Sequence, residues 1–193
     1  MTTEPDRNAR ERMVHSAARM MRERGVTGVG MRQIAADAQG PRGSLQRYFP
    51  GGKTQVMSEA LEVAVADFSA GTRAAADAAD LPSAIALVVD SWRKVLLDNG
   101  FRAGCPIAAF VVDVSESEPL RERAHDRFAQ WQRAVASIFR RFGYDRARAR
   151  DEATLLISAI EGAALIARAG QTIEPLDAVE RVLVDRARRG VAD

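Results

Sequence analysis

Arg42, Gly43, Ser44, Gln46 and Arg47 are the residues of this chain whose types and spacing carry the clearest chemistry. Arginine donates to phosphate oxygens and, as a fork, to guanine; a glutamine amide matches an adenine edge; glycine lets a backbone come close. Such a cluster suits the reading of duplex DNA, provided it is held clear of the core. The flanking sequence supplies the means. Ile34, Ala35 and Ala38 form one apolar stripe, and Leu45, Tyr48 and Phe49 form a second at helical spacing. Two short helices can therefore bury these faces together and leave what lies between facing outwards. Gly40-Pro41 suits the start of the second helix, with Pro at the first helical position, and Pro50-Gly51-Gly52 ends it. Arg32 and Gln33 on the first helix, with Tyr48 at the far end of the second and Lys53 at the start of the helix that follows, complete the set expected to face DNA.

As a whole, MRQIAADAQGPRGSLQRYFPGGK (Met31 to Lys53) resembles the helix-turn-helix of the TetR family of bacterial transcriptional repressors. Gly40-Pro41-Arg42-Gly43-Ser44-Leu45, then Tyr48-Phe49-Pro50-Gly51-Gly52-Lys53, with Gly104-Cys105-Pro106 at mid-chain, is similar to the LmrA/YxaF-like branch. The resemblance implies an all-α fold with a three-helix DNA-binding domain at 1–53 and a helical ligand-binding and dimerisation domain at 54–193. It further implies a homodimer on a palindromic operator, released by a small lipophilic inducer, with no cofactor. Three positions depart from the family pattern. Gln39 stands where the turn usually has Gly, and a left-handed backbone there would cost about 1 kcal/mol. Gln46 replaces a common Tyr. Val29-Gly30 stands in place of a Thr or Ser cap, and Gly caps more weakly.

With 193 residues, 47% of them hydrophobic, the chain can bury a core. No apolar run approaches the length of a membrane span, and MTTEPDRNARER is charged where a secretory signal needs an apolar core, so a cytoplasmic protein without a membrane partner is expected. The single cysteine excludes an internal disulfide and a multi-thiolate metal site, and His15 and His125 show no ligand spacing. The chain has no Gly-x-Ser-x-Gly elbow and no phosphate-binding glycine loop, so no enzyme is expected. Residues 1–53 hold ten Arg and Lys against five Asp and Glu, net +5, and the remainder is net −3. The positive charge sits where DNA should bind.

Periodicity places helices at about Asp6 to Arg24, Lys53 to Ala78, Leu81 to Leu97, Pro119 to Phe142, Asp145 to Ala169 and Pro175 to Arg189. Ile107 to Val112 fits a short buried strand or a helix by periodicity alone, and Pro106 at a first helical position with helical surroundings favours helix. Phe68, Trp92, Phe101, Cys105, Phe110, Phe128 and Trp131 are the candidate walls of an apolar ligand site. Leu155, Ser158, Ala159, Gly162, Ala163 and Ile166 form a small-residue strip, and Leu176, Val179, Val182 and Leu183 a second. Both can serve packing within the chain; with the resemblance, Leu155, Ser158, Ala159, Gly162, Ala163, Ile166, Val179, Val182 and Leu183 are the expected dimer interface. The alternative function is a redox or electrophile sensor acting through Cys105, whose position before a helix favours the thiolate.

Overall fold

The computed structural model describes residues 4–113 and 118–189, with the side chains of residues 4–7, 42, 67, 68 and 113 outside the description. Among the described residues every regular element is helical: α1 (Glu4–Arg24), α2 (Met31–Asp37), a 3₁₀ turn (Arg42–Ser44), α3 (Leu45–Tyr48), α4 (Gly52–Phe68), α5 (Ala70–Ala76), α6 (Leu81–Asp98), α7 (Pro106–Asp113), α8 (Glu118–Arg141), α9 (Arg146–Gly170) and α10 (Glu174–Arg188). They gather into two compact units, one of residues 1–67 with 105–126 and the other of 68–104 with 127–193.

In the first unit α1 packs on α2 and α7. Its centre is Met13, Met21, Ile34, Phe49, Met57 and Leu61, all fully buried. Gly25, at φ 75°, stops α1, as the sequence predicts. The end of α2 is a Schellman closure: Gln39 N–H donates to Ala36 O at 3.2 Å and Gly40 N–H to Ala35 O at 2.9 Å. Gln39 takes the left-handed conformation at φ 50°. A Cβ on Gly40 would come within 2.2 Å of Met13 Cε, so glycine there serves the close approach to α1. Gln39→Gly is expected to stabilise the chain by about 1 kcal/mol, read as a raised denaturation midpoint. An unchanged or lower midpoint would show that the Gln39 side chain offsets its own backbone strain.

In the second unit α6 lies against α5 and α10, and α9 packs on α6 and α10. Trp92, Leu96, Ile160 and Leu176 are fully buried at its centre. Asp80 caps α6 by accepting from Ser83 N–H at 2.7 Å, and Asp145 caps α9 through Ala147 and Arg148 N–H. Arg93 ties α6 to α10, donating to Asp177 at 2.8 Å and to Glu180. Arg168 donates to the carbonyls of Phe101 and Arg102, and a Cβ on Gly104 would stand 2.7 Å from its guanidinium. The glycine of Gly104-Cys105-Pro106 thus lies against the Arg168 guanidinium.

Three expectations need correction. The helix foreseen from Lys53 to Ala78 is two helices, broken at Ser69, and Gly71 in the second lies so close to α6 that a Cβ would meet Ser91 Oγ at 2.2 Å. Pro41 does not occupy a first helical position; it is extended, with φ −70° and ψ 117°, and precedes the 3₁₀ turn. A span-length apolar run does exist: α9 holds an 18-residue window of mean hydropathy 1.4. Glu152, Leu156, Ile160, Ala163, Ala164 and Ala167 are buried along it, which marks α9 as a core helix of the second unit.

Candidate nucleic-acid interface

α2, the 3₁₀ turn and α3 divide their residues by face. Ile34, Ala35, Tyr48 and Phe49 are buried and Leu45 is half-buried, while Arg32, Gln33, Gly43, Gln46 and Arg47 are exposed and Ser44 is half-exposed. The outward set is thus the one the stripe pattern leaves over. Arg42 belongs to the 3₁₀ turn, and its side chain lies outside the described residues. Gln33 also has an internal task, since its Oε1 accepts the Gly30 N–H at 3.0 Å, the reciprocal half of a capping box, while Gly30 itself offers no side-chain cap. Tyr48 is 5% exposed; the Arg47 guanidinium lies 5.0 Å from its ring centre and donates to its hydroxyl at 3.3 Å. Lys53, at the start of α4, donates to Thr27 O at 3.4 Å.

Gly43 has no internal reason to be glycine. Its φ is not positive, and an added Cβ would meet nothing within 4 Å. Neither backbone conformation nor packing within the chain requires the missing side chain, which leaves open space on the outward face of the 3₁₀ turn.

The bracing of α2 rests on α1. Asp37 accepts from Ser16 Oγ at 2.6 Å and from the Arg19 guanidinium at 2.6 and 2.7 Å, and Arg12 Nε donates to Ala38 O at 3.0 Å. Arg12, His15, Ser16, Arg19, Asp37, Ala38 and Gln39 border an open depression of about 570 Å³. Ser16 first and Arg19 second hold the Asp37 carboxyl below its ordinary pKa. A carboxylate with a depressed folded pKa stabilises the fold above its unfolded value of about 3.9, and that contribution is lost as the pH falls through the folded value. Asp37→Asn should therefore melt below the wild type at pH 7, with the gap closing as the pH falls from about 4. A gap of constant width across that range would contradict the assignment. Of the other arginines near the start of α1, Arg10 is held by Glu59 and Arg12 by Ala38 O and Asn8. The Arg7 side chain lies outside the described residues.

The seven ligand-wall candidates fall in different places. Trp92, Trp131 and Phe128 form one stack in the second unit, with ring centres 6.0 and 6.3 Å apart and planes within 23° and 21°. Trp131 Nε1 donates to Thr72 Oγ1 at 3.1 Å. Trp92 is buried, and Phe128, Trp131 and Phe101 are half-buried. Cys105 and Phe110 belong to the first unit and are both buried, and the Phe68 side chain lies outside the described residues. Cys105 is buried away from oxidants, so the sensor alternative gains no support from this enclosed thiol, although its Sγ accepts the Ala108 N–H at 3.4 Å. A cavity of about 10 Å³, room for one water at most, lies among Phe139, Tyr144, Glu152, Leu156 and Leu183 and touches none of the seven. Among the described residues no group of three His, Cys, Asp or Glu side chains is placed to hold a metal ion.

On α9 and α10 the expected interface residues divide between two sides. Leu155, Ile166 and Val182 are exposed at 40%, 64% and 65%, Ser158 is exposed, and Ala159, Gly162 and Val179 are half-buried. Ala163 and Leu183 are buried inside the unit and serve packing within the chain. Leu165, which the stripe omits, is exposed at 64% on α9. Gly162 resembles Gly43: its φ is not positive and an added Cβ would meet nothing within 4 Å.

Residues 14–60 match the model of bacterial regulatory proteins of the tetR family, and residues 82–182 match that of the transcriptional regulator LmrA/YxaF-like C-terminal domain. A helix-turn-helix-type transcriptional regulator of Mycobacterium tuberculosis is 38% identical over 180 residues, spanning 90% of this chain and 91% of its own. The helix-turn-helix-type transcriptional regulator LmrA of Bacillus subtilis is 27% identical over 190 residues, spanning 94% and 98%. Among solved structures, regulatory protein TetR from Rhodobacter sphaeroides shares the fold, with a TM-score of 0.81 at 22% identity over 92% of this chain and 97% of that one.

Proposed function

From a chain that belongs to the TetR family of bacterial DNA-binding transcriptional regulators, with an LmrA/YxaF-like C-terminal domain, we infer a repressor that pairs as a homodimer on a palindromic operator and leaves it when a small lipophilic inducer binds. The observation that carries the DNA-reading half is the outward set Arg32, Gln33, Gln46 and Arg47 on α2 and α3, beside Gly43, whose backbone stands open to an approaching surface. In this reading residues 1–53 are the DNA-binding domain and 54–193 the ligand-binding and dimerisation domain. Arg32, Gln33, Arg42, Gly43, Ser44, Gln46, Arg47 and Lys53 form the DNA face, with Gln46 reading a base edge and the arginines and Lys53 serving phosphates or guanine. Tyr48, expected on that face, is buried and braces Arg47 from beneath. Two-fold symmetry places the reading helices about 34–36 Å apart, one turn of DNA.

Pairing uses the exposed faces of α9 and α10, chiefly Leu155, Ser158, Gly162, Ile166 and Val182. The stacked Trp92, Trp131 and Phe128 are the proposed walls for the inducer within the second unit. Inducer binding acts through α4 by changing the separation of the two reading helices. The protein works in the cytoplasm, without a cofactor and without enzymatic turnover.

A fluorescence-polarisation titration against DNA upstream of the protein's own gene, with salt and scrambled competitor varied, tests the reading. Saturable, competitor-resistant binding at two chains per site is expected, with affinity falling steeply as salt rises. Gln46→Ala should cost about 1–3 kcal/mol at one operator position and relax base preference there. An unchanged preference would remove Gln46 from the reading set. Binding of equal strength to every duplex would sink the repressor.

A further inference from the structure

We propose that Glu59 is a positioning residue for DNA reading: through one carboxylate oxygen it fixes both ends of the segment that closes the recognition helix. The proposal rests on the DNA-reading function above. The segment runs from Phe49 to Gly52, where Phe49 N–H donates to Leu45 O and Gly52 N–H to Phe49 O, each at 2.9 Å. Its two ends are held by different side chains. At one end the Arg10 guanidinium lies 5.0 Å from the centre of the buried Phe49 ring. At the other, Gly51 N–H donates to Gln55 Oε1 at 2.9 Å. Both side chains then turn to the same acceptor. Arg10 Nη2 donates to Glu59 Oε1 at 2.6 Å, and Gln55 Nε2 donates to Glu59 Oε1 at 3.0 Å.

The Gln55 amide has two orientations, with oxygen and nitrogen exchanged. Its oxygen satisfies Gly51 only while its nitrogen faces an acceptor, and Glu59 is that acceptor. Removing the carboxylate therefore frees the amide to flip and releases Gly51. It also frees Arg10 from its place over Phe49. As a surface ion pair alone, Arg10 with Glu59 would contribute little.

Charge and positioning predict opposite signs. Loss of an acidic group from a DNA-binding unit strengthens attraction to every duplex. Loss of a positioning group weakens binding only where base edges are read. Glu59→Gln keeps a carbonyl acceptor and drops the charge, whereas Glu59→Ala drops both.

The test uses the full chain with either substitution, an operator selected by the wild type from random duplexes, and a scrambled duplex. It adds amide hydrogen exchange of Gly51, which needs no DNA. Glu59→Ala is expected to bind the selected operator about tenfold more weakly, with the scrambled duplex bound no more weakly than by wild type, and to exchange the Gly51 amide about tenfold faster. Glu59→Gln is expected to stay within about threefold of wild type on both readouts. Equal operator affinity, or equal weakening on both duplexes, for Glu59→Ala overturns the proposal. Should the wild type select no DNA, the repressor reading fails by itself, and unchanged Gly51 exchange in Glu59→Ala still overturns the linkage.

Discussion

Phe49→Ala is expected to remove about 3–5 kcal/mol of stability and to abolish specific DNA binding. The ring is fully buried, meets Tyr48 edge-on at 6.4 Å and carries the Arg10 guanidinium over its face. Truncation leaves a cavity beneath the recognition helix and strips Arg10 of its aromatic partner. The loss is a large part of the 5–15 kcal/mol that holds an ordinary domain folded. Denaturant titration of the purified variant measures it, and the DNA titration reads its consequence. A variant that kept wild-type affinity for the operator would show that α3 holds its place without this ring, and the bracing described here would be wrong.

Gly162→Leu should separate folding from pairing. Glycine within a helix is disfavoured by about 1 kcal/mol relative to better helix formers, and a Cβ added at this position of α9 meets nothing within 4 Å. The isolated chain should therefore be as stable as wild type or slightly more so. Across the proposed two-fold interface the same side chain would be inserted twice, at about 1–3 kcal/mol each for overpacking, or about 2–6 kcal/mol per dimer. Sedimentation of the variant is expected to show the 21.0 kDa monomer at concentrations where wild type sediments at twice that mass. A variant that dimerises normally would move the interface off this face of α9.

Much of this layout is legible in the sequence because it is local. The stops at Gly25 and Gly143 follow from single residues whose φ is positive, at 75° and 92°. The strained turn at Gln39 is legible too, since the spacing from Ala35 marks the place where a helix-turn-helix turns left-handed. The apolar stripes of α1 (Met13, Val14, Ala17, Met20 and Met21), α2 (Ile34, Ala35 and Ala38) and α4 (Val56, Met57, Ala60, Leu61 and Ala64) are buried as their period requires. The break at Ser69 is not marked by the apolar period, although Ser69, Gly71 and Thr72 are weak helix formers; the helix that follows it approaches α6 so closely that Gly71 has no room for a Cβ beside Ser91. The run from Ile85 to Leu97 is apolar nearly all round, yet Leu87 and Leu97 are 40% and 53% exposed because partners cover only part of α6. At the candidate site the outward set follows from what the stripes leave over. Arg10 and Glu59, by contrast, lie 49 positions apart, and no period or motif joins them. Gln55 and Glu59 share a helix face at four residues' spacing, which was the one local sign of that linkage.

The open space at Gly43 bears on inheritance. A Cβ added there would meet nothing within 4 Å, so a substituted protein should fold, accumulate and form the proposed dimer while failing to seat on DNA. In a cell making both forms in equal amounts, random pairing leaves about one dimer in four with two working halves. Defects at this position should thus be dominant, with one altered gene copy largely relieving the repression exerted by the intact copy, whereas defects that unfold the chain should be recessive.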